Sequence, residues 1–285
     1  MQSLFRSILP AALLLMIVPT AYAELVFNGF GSTAGLTLNG TASTAATADG
    51  TVLRLTTANE WASGSSFSTA RVSTSQFTSI FSFRITGNGG SIFSPNTSNG
   101  ADGLVFTVQN VANNVGGVGG GLGFENVAPS VGVEFDTFHN LEHVDQSQSH
   151  VAIDLNGSVN HNAKNGPTSN VFSPQLDEGN RWWSWVQYND GRMQVFLLPS
   201  ESATEPLRPA APILDYELDL AATLGQQTAF AGFTSGTGSD YANHDILYWR
   251  YTNAVVPEPS SLLLAGLGAS GVILAAVTRS RRCGR

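Results

Sequence analysis

Residues 134–150 read EFDTFHNLEHVDQSQSH and gather Glu134, Asp136, Asn140, Asp145 and His150 into one short segment of a chain in which only 12% of residues are charged. In a strand, side chains alternate with period two. Glu134 and Asp136 therefore project from one face of the strand predicted over 131–138, and the polar residues beyond it can fold back over that face. Carboxylates and an amide oxygen are hard ligands suited to calcium, whereas a histidine beside shared carboxylates suits a manganese-like ion. The segment reads as a site for two adjacent cations at the end of a β-strand.

Outward from this strand, short β-rich runs recur between clusters of Gly, Asn, Ser and Asp, at 51–57, 77–86, 104–109, 150–155, 182–188, 193–198, 228–233 and 246–252. That spacing predicts an all-β fold, an antiparallel β-sandwich. Phe81, Phe83 and Ile85 alternate with Ser82, Arg84 and Thr86, the pattern of a strand with one buried and one wet face. Asn189-Asp190-Gly191-Arg192 predicts a tight hairpin, because Asp-Gly accepts the positive φ angles such a turn needs. Helical periodicity is confined to 218–224, enough for one or two turns. The glycine-rich stretch at 113–123, NNVGGVGGGLG, lacks the Gly-Lys-Ser/Thr ending of a phosphate loop and the following helix of a dinucleotide fingerprint. It reads instead as a loop whose backbone approaches a ligand or another loop closely.

The chain has 285 residues, and both ends carry targeting patterns. Residues 1–23 hold Arg6, an apolar run over 8–18 and the small-residue ending Ala21-Tyr22-Ala23, the form of a secretory signal peptide cleaved before Glu24. Residues 259–278 are 20 uncharged residues followed by Arg279, Arg281, Arg282 and Arg285. At about 1.5 Å per residue a helix there just spans a hydrocarbon core, with its arginines on the cytoplasmic side. The expected working domain is 24–255. Setting aside Arg6, the tail arginines and Glu258 leaves it 8 basic against 20 acidic residues, a net charge of −12. This balance argues against a nucleic-acid partner and reserves acidity for cations. The only cysteine, Cys283, lies in the basic tail, so no disulfide staples the domain.

The order Glu-x-Asp-x-aromatic-x-Asn, then Asp, then a His that opens the next strand resembles the metal loop of legume (L-type) lectins. Glu134, Asp136, Phe138, Asn140, Asp145 and His150 fill every position. The likeness extends through HVAIDLNG, the strand near Trp185, and AGFTSGTG followed by HDILYW, and covers most of 24–252. It implies the jelly-roll sandwich of concanavalin-like lectins and carbohydrate binding without catalysis. It implies that Glu134, Asp136, Asp145 and His150 hold Mn2+ or a similar transition metal. Asp136, the Phe138 carbonyl, Asn140 and Asp145 would hold Ca2+, with Asp136 and Asp145 bridging the two. In such lectins an Ala-Asp-Gly motif with a cis Ala-Asp bond supplies the sugar-binding carboxylate, matched here by Ala101-Asp102-Gly103. A glycine amide matches Gly120, the calcium-bound amide matches Asn140, and the stacking aromatic matches Phe138. The variable specificity loop falls at Ser239, Asp240 and Tyr241. The implied partner is a glycan or exopolysaccharide, and back-sheet pairing in related lectins implies a homodimer.

A rival reading is a hydrolase. Laminarinase-like β-glucanases share the sandwich class and carry Glu-x-Asp-x-x-Glu, but the last position here is His139, and carboxylates committed to cations do not serve retaining hydrolysis. A third reading is a matrix or adhesion module whose metal site only stiffens its loops. Trp183 and Trp185 alternate onto one strand face and read as packing. His139, His143 and His161 read as exposed loop residues, His244 and Asp245 as structural. Finally, Val256-Pro257-Glu258-Pro259, an apolar segment and arginines resemble the PEP-CTERM sorting signal of Gram-negative bacteria. That resemblance implies transient recognition by an exosortase and delivery to the cell envelope or extracellular matrix; a plain membrane anchor is the alternative.

Overall fold

Each of the runs predicted from alternation and turn chemistry forms a strand in the computed structural model, which describes residues 24–90, 100–161, 165–171 and 173–253. The expected signal peptide, the PEP-CTERM segment and the predicted span at 259–278 lie outside the described residues. Among the described residues no helix is long and apolar enough to cross a membrane. The strands are β1 (Glu24–Asn28), β2 (Leu36–Gly40), β3 (Ser43–Thr47), β4 (Gly50–Thr56), β5 (Ser63–Ser68), β6 (Val72–Ser73), β7 (Phe77–Gly89) and β8 (Gly103–Gln109). There follow β9 (Ser130–Asp136), β10 (His150–Leu155), β11 (Thr168–Asn170), β12 (Arg181–Asn189), β13 (Arg192–Pro199), β14 (Leu214–Glu217), β15 (Thr228–Gly236) and β16 (Tyr241–Thr252).

They build two antiparallel sheets. A back sheet runs β14-β13-β12-β7-β16-β4-β3 with β1 also on β16, and a front sheet runs β11-β10-β9-β8-β15-β5-β2 with β6 also on β15. The predicted hairpin joins β12 to β13: Asn189 pairs with Arg192, and Asp190 and Gly191 both take positive φ, 51° and 74°. Helix α1 (Leu220–Leu224) is a single short piece started by the Asp219 carboxylate, which accepts from the Ala222 amide at 2.9 Å, and ended by Gly225 in the left-handed region.

Inward side chains of both sheets interdigitate as an aromatic core. Phe81 of β7 meets Phe233 of β15 at 5.0 Å and Phe135 of β9 at 5.6 Å between ring centroids, both edge-on. Because Val131, Val133 and Phe135 of β9 point into this core, Glu134 and Asp136 must point out through the front sheet.

Part of the outer face of the back sheet is covered, not wet as the alternation of β7 suggested. Ser82 is fully buried there, and Arg84 is held by Asp49 and Glu201, each at 2.8 Å. The reason is tertiary: residues 200–208 lie across this face. Trp183 Nε1 donates to the Ser202 carbonyl and Trp185 Nε1 to Glu205, both at 3.1 Å, while the Arg208 guanidinium sits 3.8 Å from the Phe196 ring centre. Trp183 and Trp185 are thus packing residues, as expected, but in a second small core with Ile80 and Phe196 outside the sandwich. A subunit approaching this part of the back sheet meets residues 200–208 first.

Candidate metal and carbohydrate site

Three neighbouring strands of the front sheet set the site. Asp136 at the end of β9 lies opposite His150 at the start of β10 and opposite Gly103 at the start of β8. Sheet register thereby brings together residues from three separate stretches of sequence. Asp102 precedes Gly103 through a cis Ala101–Asp102 bond, as the family likeness implied. Its carbonyl accepts from the Thr137 amide at 2.9 Å and its own amide donates to the Gly236 carbonyl at 3.1 Å.

The metal-loop residues converge. One ligand atom each from Asp136, Asp145 and His150 lies within 4.8 Å of the others, and the same holds for Glu134, His150 and His161. Glu134, Asp136, Asn140, Asp145 and His150 are all buried. The loop is closed by its own carboxylates: the Phe138 amide donates to Asp136 Oδ1 and the Asn140 amide to Asp145 Oδ2, each at 2.6 Å. His150 Nδ1 lies 3.1 Å from the Ser147 carbonyl. A carbonyl only accepts, so Nδ1 carries a proton toward Ser147, while Nε2 faces Glu134 Oε1 at 3.0 Å, where it donates to the carboxylate or, once deprotonated, serves as a metal ligand.

His161 corrects the sequence reading, which placed it exposed in a loop. Its side chain is 4% exposed, and its Nε2 lies 3.0 Å from Glu134 Oε1, 3.3 Å from Asp145 Oδ1 and 3.1 Å from His150 Nε2. Its amide donates to the His143 carbonyl at 2.9 Å, which fixes the ring over the strand pair. No periodicity could have revealed this, because His161 sits in irregular chain after β10. His139 and His143 stay outside both groups; His139 Nε2 meets the Asp145 carbonyl at 3.0 Å. Asp154 is a second residue the sequence reading passed over. It shares the outward face of β10 with His150 at period two and is fully buried, so alternation did carry that signal.

The electrostatics are those of a site built to receive positive charge. Burial, and next the Glu134 and Asp145 charges, push Asp136 well above the usual carboxylate range. Burial and then Glu134 do the same to Asp154. Burial works against ionised Glu134, but hydrogen bonds from His150 and His161 outweigh it and hold Glu134 below its usual value. For His161 burial opposes the charged ring, while bonds to Asp145 and Glu134 raise it to about 9. Four buried carboxylates facing each other fit cations better than protons. So does the Asn140 side-chain oxygen, which is buried without a hydrogen-bond donor. The donor set divides by chemistry: Glu134, His150, His161 and the shared Asp136 and Asp145 suit a transition metal, whereas Asp136, Asn140 and Asp145 offer the hard oxygens of a calcium site.

Beside this centre lie the residues expected to hold sugar. Asp102 is buried, with Oδ2 lacking a partner; burial, and then the Asp240 charge, raise it to about 7. Gly120 passes so close to Asn140 that a β-carbon at 120 would fall 2.7 Å from Asn140 Nδ2, which is why the glycine-rich loop needs glycine here. Phe138 is half-buried on the rim and Ser239 is exposed, while Asp240 is buried next to Asp102 rather than open to solvent. His244 and Asp245 are structural, as read from sequence. His244 Nδ1 lies 2.6 Å from Thr56 Oγ1, and Asp245 takes both Arg54 nitrogens at 2.7 and 2.8 Å.

Comparison with known proteins agrees with this geometry. The profile of the legume lectin domain matches residues 23–263, and that of the PEP-CTERM protein-sorting motif matches residues 255–282. An L-type lectin-domain containing receptor kinase, VIII.1, of Arabidopsis thaliana is 33% identical over 182 residues, 62% of this chain and 24% of that protein; the match spans about a quarter of the relative. Among solved structures, a lectin from Bauhinia forficata in complex with GalNAc superposes with a TM-score of 0.64 at 21% identity, over 81% of this chain and 98% of that one. A metal-free lectin from Griffonia simplicifolia gives 0.65 at 22% identity, over 82% and 100%. These structures show that the sandwich is shared.

Proposed function

Since the chain belongs to the legume lectin domain family and carries a PEP-CTERM sorting motif, we propose that residues 24–255 are an exported, metal-dependent carbohydrate-binding domain without catalytic activity. The observation that carries this reading is the buried Asp102 carboxylate, whose Oδ2 has no protein partner, set beside Asn140 and the glycine-rich loop. Vicinal hydroxyls of a pyranose donate to such a carboxylate, while the Asn140 amide and a backbone N–H near Gly120 donate back. The apolar face of the ring lies on Phe138.

Cations belong to the same reading. Calcium bound by Asn140 Oδ1, Asp136 and Asp145 leaves the Asn140 NH2 turned toward the sugar, and its positive charge favours the ionised form of Asp102, which burial and the Asp240 charge otherwise disfavour. The transition metal, Mn2+ or a similar ion, takes Glu134, Asp136, Asp145 and His150, with His161 beside them and Asp136 and Asp145 bridging to the calcium. Ser239 and Asp240 form the specificity loop. With Glu134 and Asp136 committed to this cluster and His139 in the position of the last hydrolase glutamate, the Glu-x-Asp-x-x-Glu arrangement of the β-glucanases is incomplete here.

The sorting motif supports export and exosortase recognition. We place the processed domain at the cell envelope or in the extracellular polysaccharide matrix. A glycan array probed with residues 24–255 tests the proposal: binding with calcium and manganese that vanishes with chelator is expected. Absence of binding to any glycan, or binding that survives chelation, overturns it.

A further inference from the structure

Of the seven large apolar side chains exposed among the described residues, three stand on separate loops that meet around Asp102: Trp61 at 62% exposure, Val118 at 50% and Leu141 at 76%. Trp61 is the largest, and its position is fixed. Its amide donates to the Gly238 carbonyl at 2.9 Å, the neighbouring Ala62 amide donates to Thr237 Oγ1 at 2.8 Å, and Thr237 Oγ1 donates to the Asn59 carbonyl at 2.7 Å. The loop at 57–62 is thereby bolted to residues 237–238, and a β-carbon on Gly238 would sit 3.6 Å from Asp102 Oδ2. The Gly119 amide donates to the Thr237 carbonyl at 2.9 Å, tying in the glycine-rich loop that carries Val118.

Trp61 also holds φ at 56°, a left-handed conformation that a bulky side chain adopts only under strain. Exposed, it contributes no core burial to offset that strain. An aromatic face kept in water, strained and anchored beside a sugar-binding carboxylate, suits an apolar, ring-shaped ligand group arriving next to the first sugar.

We propose that Trp61 is the floor of a second pyranose subsite adjoining the Asp102 pocket, so that the domain takes two or more linked sugars of a polysaccharide. This rests on the carbohydrate-binding reading above. The first sugar is gripped by hydrogen bonds; the second is held by stacking on the indole, with Val118 and Leu141 completing an apolar rim. Stacking tolerates different hydroxyl patterns, so this subsite selects chain length more than sugar identity.

The protein supplies its own reporter. The chain has five tryptophans, and Trp182, Trp183, Trp185 and Trp249 are at most 3% exposed, so quenching by acrylamide reads Trp61. The experiment uses calcium- and manganese-loaded protein and an array of glucose-, galactose- and mannose-terminated glycans of one to six units. Each glycan that binds is then followed by fluorescence and calorimetry. Oligosaccharides should bind about tenfold more tightly than the matching monosaccharide and shield the exposed fluorescence. Trp61→Gly, which relieves the backbone strain, should fold with an equal or higher melting temperature yet bring oligosaccharide affinity down to that of the monosaccharide. Trp61→Tyr should keep most of the gain. Oligosaccharide binding by Trp61→Gly at wild-type affinity, or binding that leaves acrylamide quenching unchanged, overturns the subsite alone. A loaded wild type that binds no glycan overturns the lectin reading and the subsite together.

Discussion

Replacing Asp136 by Asn should reverse the sign of its effect on stability according to whether cations are present. Without cations Asp136 is buried beside Glu134 and Asp145, and ligand atoms of Asp136, Asp145 and His150 fall within 4.8 Å of one another. Two carboxylate charges at that separation would repel by about 3.5 kcal/mol at an effective dielectric constant near 20, and without cations the folded protein avoids this by keeping Asp136 protonated, which costs a comparable amount near neutral pH. Asn keeps the oxygen that accepts from the Phe138 amide and is neutral without taking up a proton. At pH 7.5 in chelator the variant should therefore be about 3 kcal/mol more stable. For a domain of this size that is roughly 6–12 °C in melting temperature. The sign with pH follows from the raised Asp136 value. Its contribution is favourable below the unfolded carboxylate range and is lost as pH rises through the folded value. The gap in chelator should thus close near pH 4 and widen toward neutrality. With cations at a thousandfold excess over their dissociation constants the wild type gains about 4 kcal/mol by linkage, and the variant, missing the bridging carboxylate, gains little. Scanning calorimetry of both proteins with chelator and with calcium plus manganese checks this. A variant no more stable than wild type in chelator, or one that still gains fully from cations, refutes the electrostatic account of the site.

His161→Ala should weaken the transition-metal site more than the calcium site, because His161 approaches Glu134, Asp145 and His150 but not Asn140; metal analysis after dialysis against both ions reads the difference. With two imidazoles, the wild-type site should hold Zn2+ or Ni2+ in preference to Mn2+ in direct competition, and the variant, left with one imidazole, should show a smaller preference. Asp102→Ala should abolish glycan binding while shifting the melting temperature of cation-loaded protein by less than about 3 °C; intact binding on the array would reject the carboxylate's role. His244 is buried and, through that burial, lowered to about 3. The unfolded chain therefore binds the extra proton between that value and about 6.5, and stability falls as pH drops through this window. The cost at pH 5 is about 2 kcal/mol relative to pH 7. His244→Asn should remove that increment from the urea unfolding difference between the two pH values, and equal pH sensitivity in both proteins would contradict it. Mass analysis of envelope-derived protein should find a chain ending near residues 256–259; a chain still carrying Arg285 in cells that have an exosortase would reject sorting.

The sandwich and most of the candidate cation cluster were legible in the sequence because both depend on local, periodic information. Alternation placed Phe81, Phe83 and Ile85 in the core and turned Glu134 and Asp136 outward together. Five ligand-type residues within 17 positions, 134–150, cannot be far apart once a strand and its return are formed. Targeting patterns at the two ends are local too, written in composition. Tertiary structure alone decided what depends on which loops cross which faces. Residues 200–208 cover part of the polar face of β7 and the Trp183 and Trp185 side chains, so a strand that reads as half wet buries Ser82 and holds Arg84 in ion pairs. His161, in irregular chain after β10, is held against Glu134, Asp145 and His150 with the help of a backbone bond to His143. Asp240 is drawn in beside Asp102 although the sequence marks it only as part of a variable loop. Trp61 gains its meaning from the bond between its amide and Gly238, 177 residues away in sequence. Periodicity reports which face of an element a residue occupies; it carries nothing about what packs against that face, because that contact is set by chain distant in sequence.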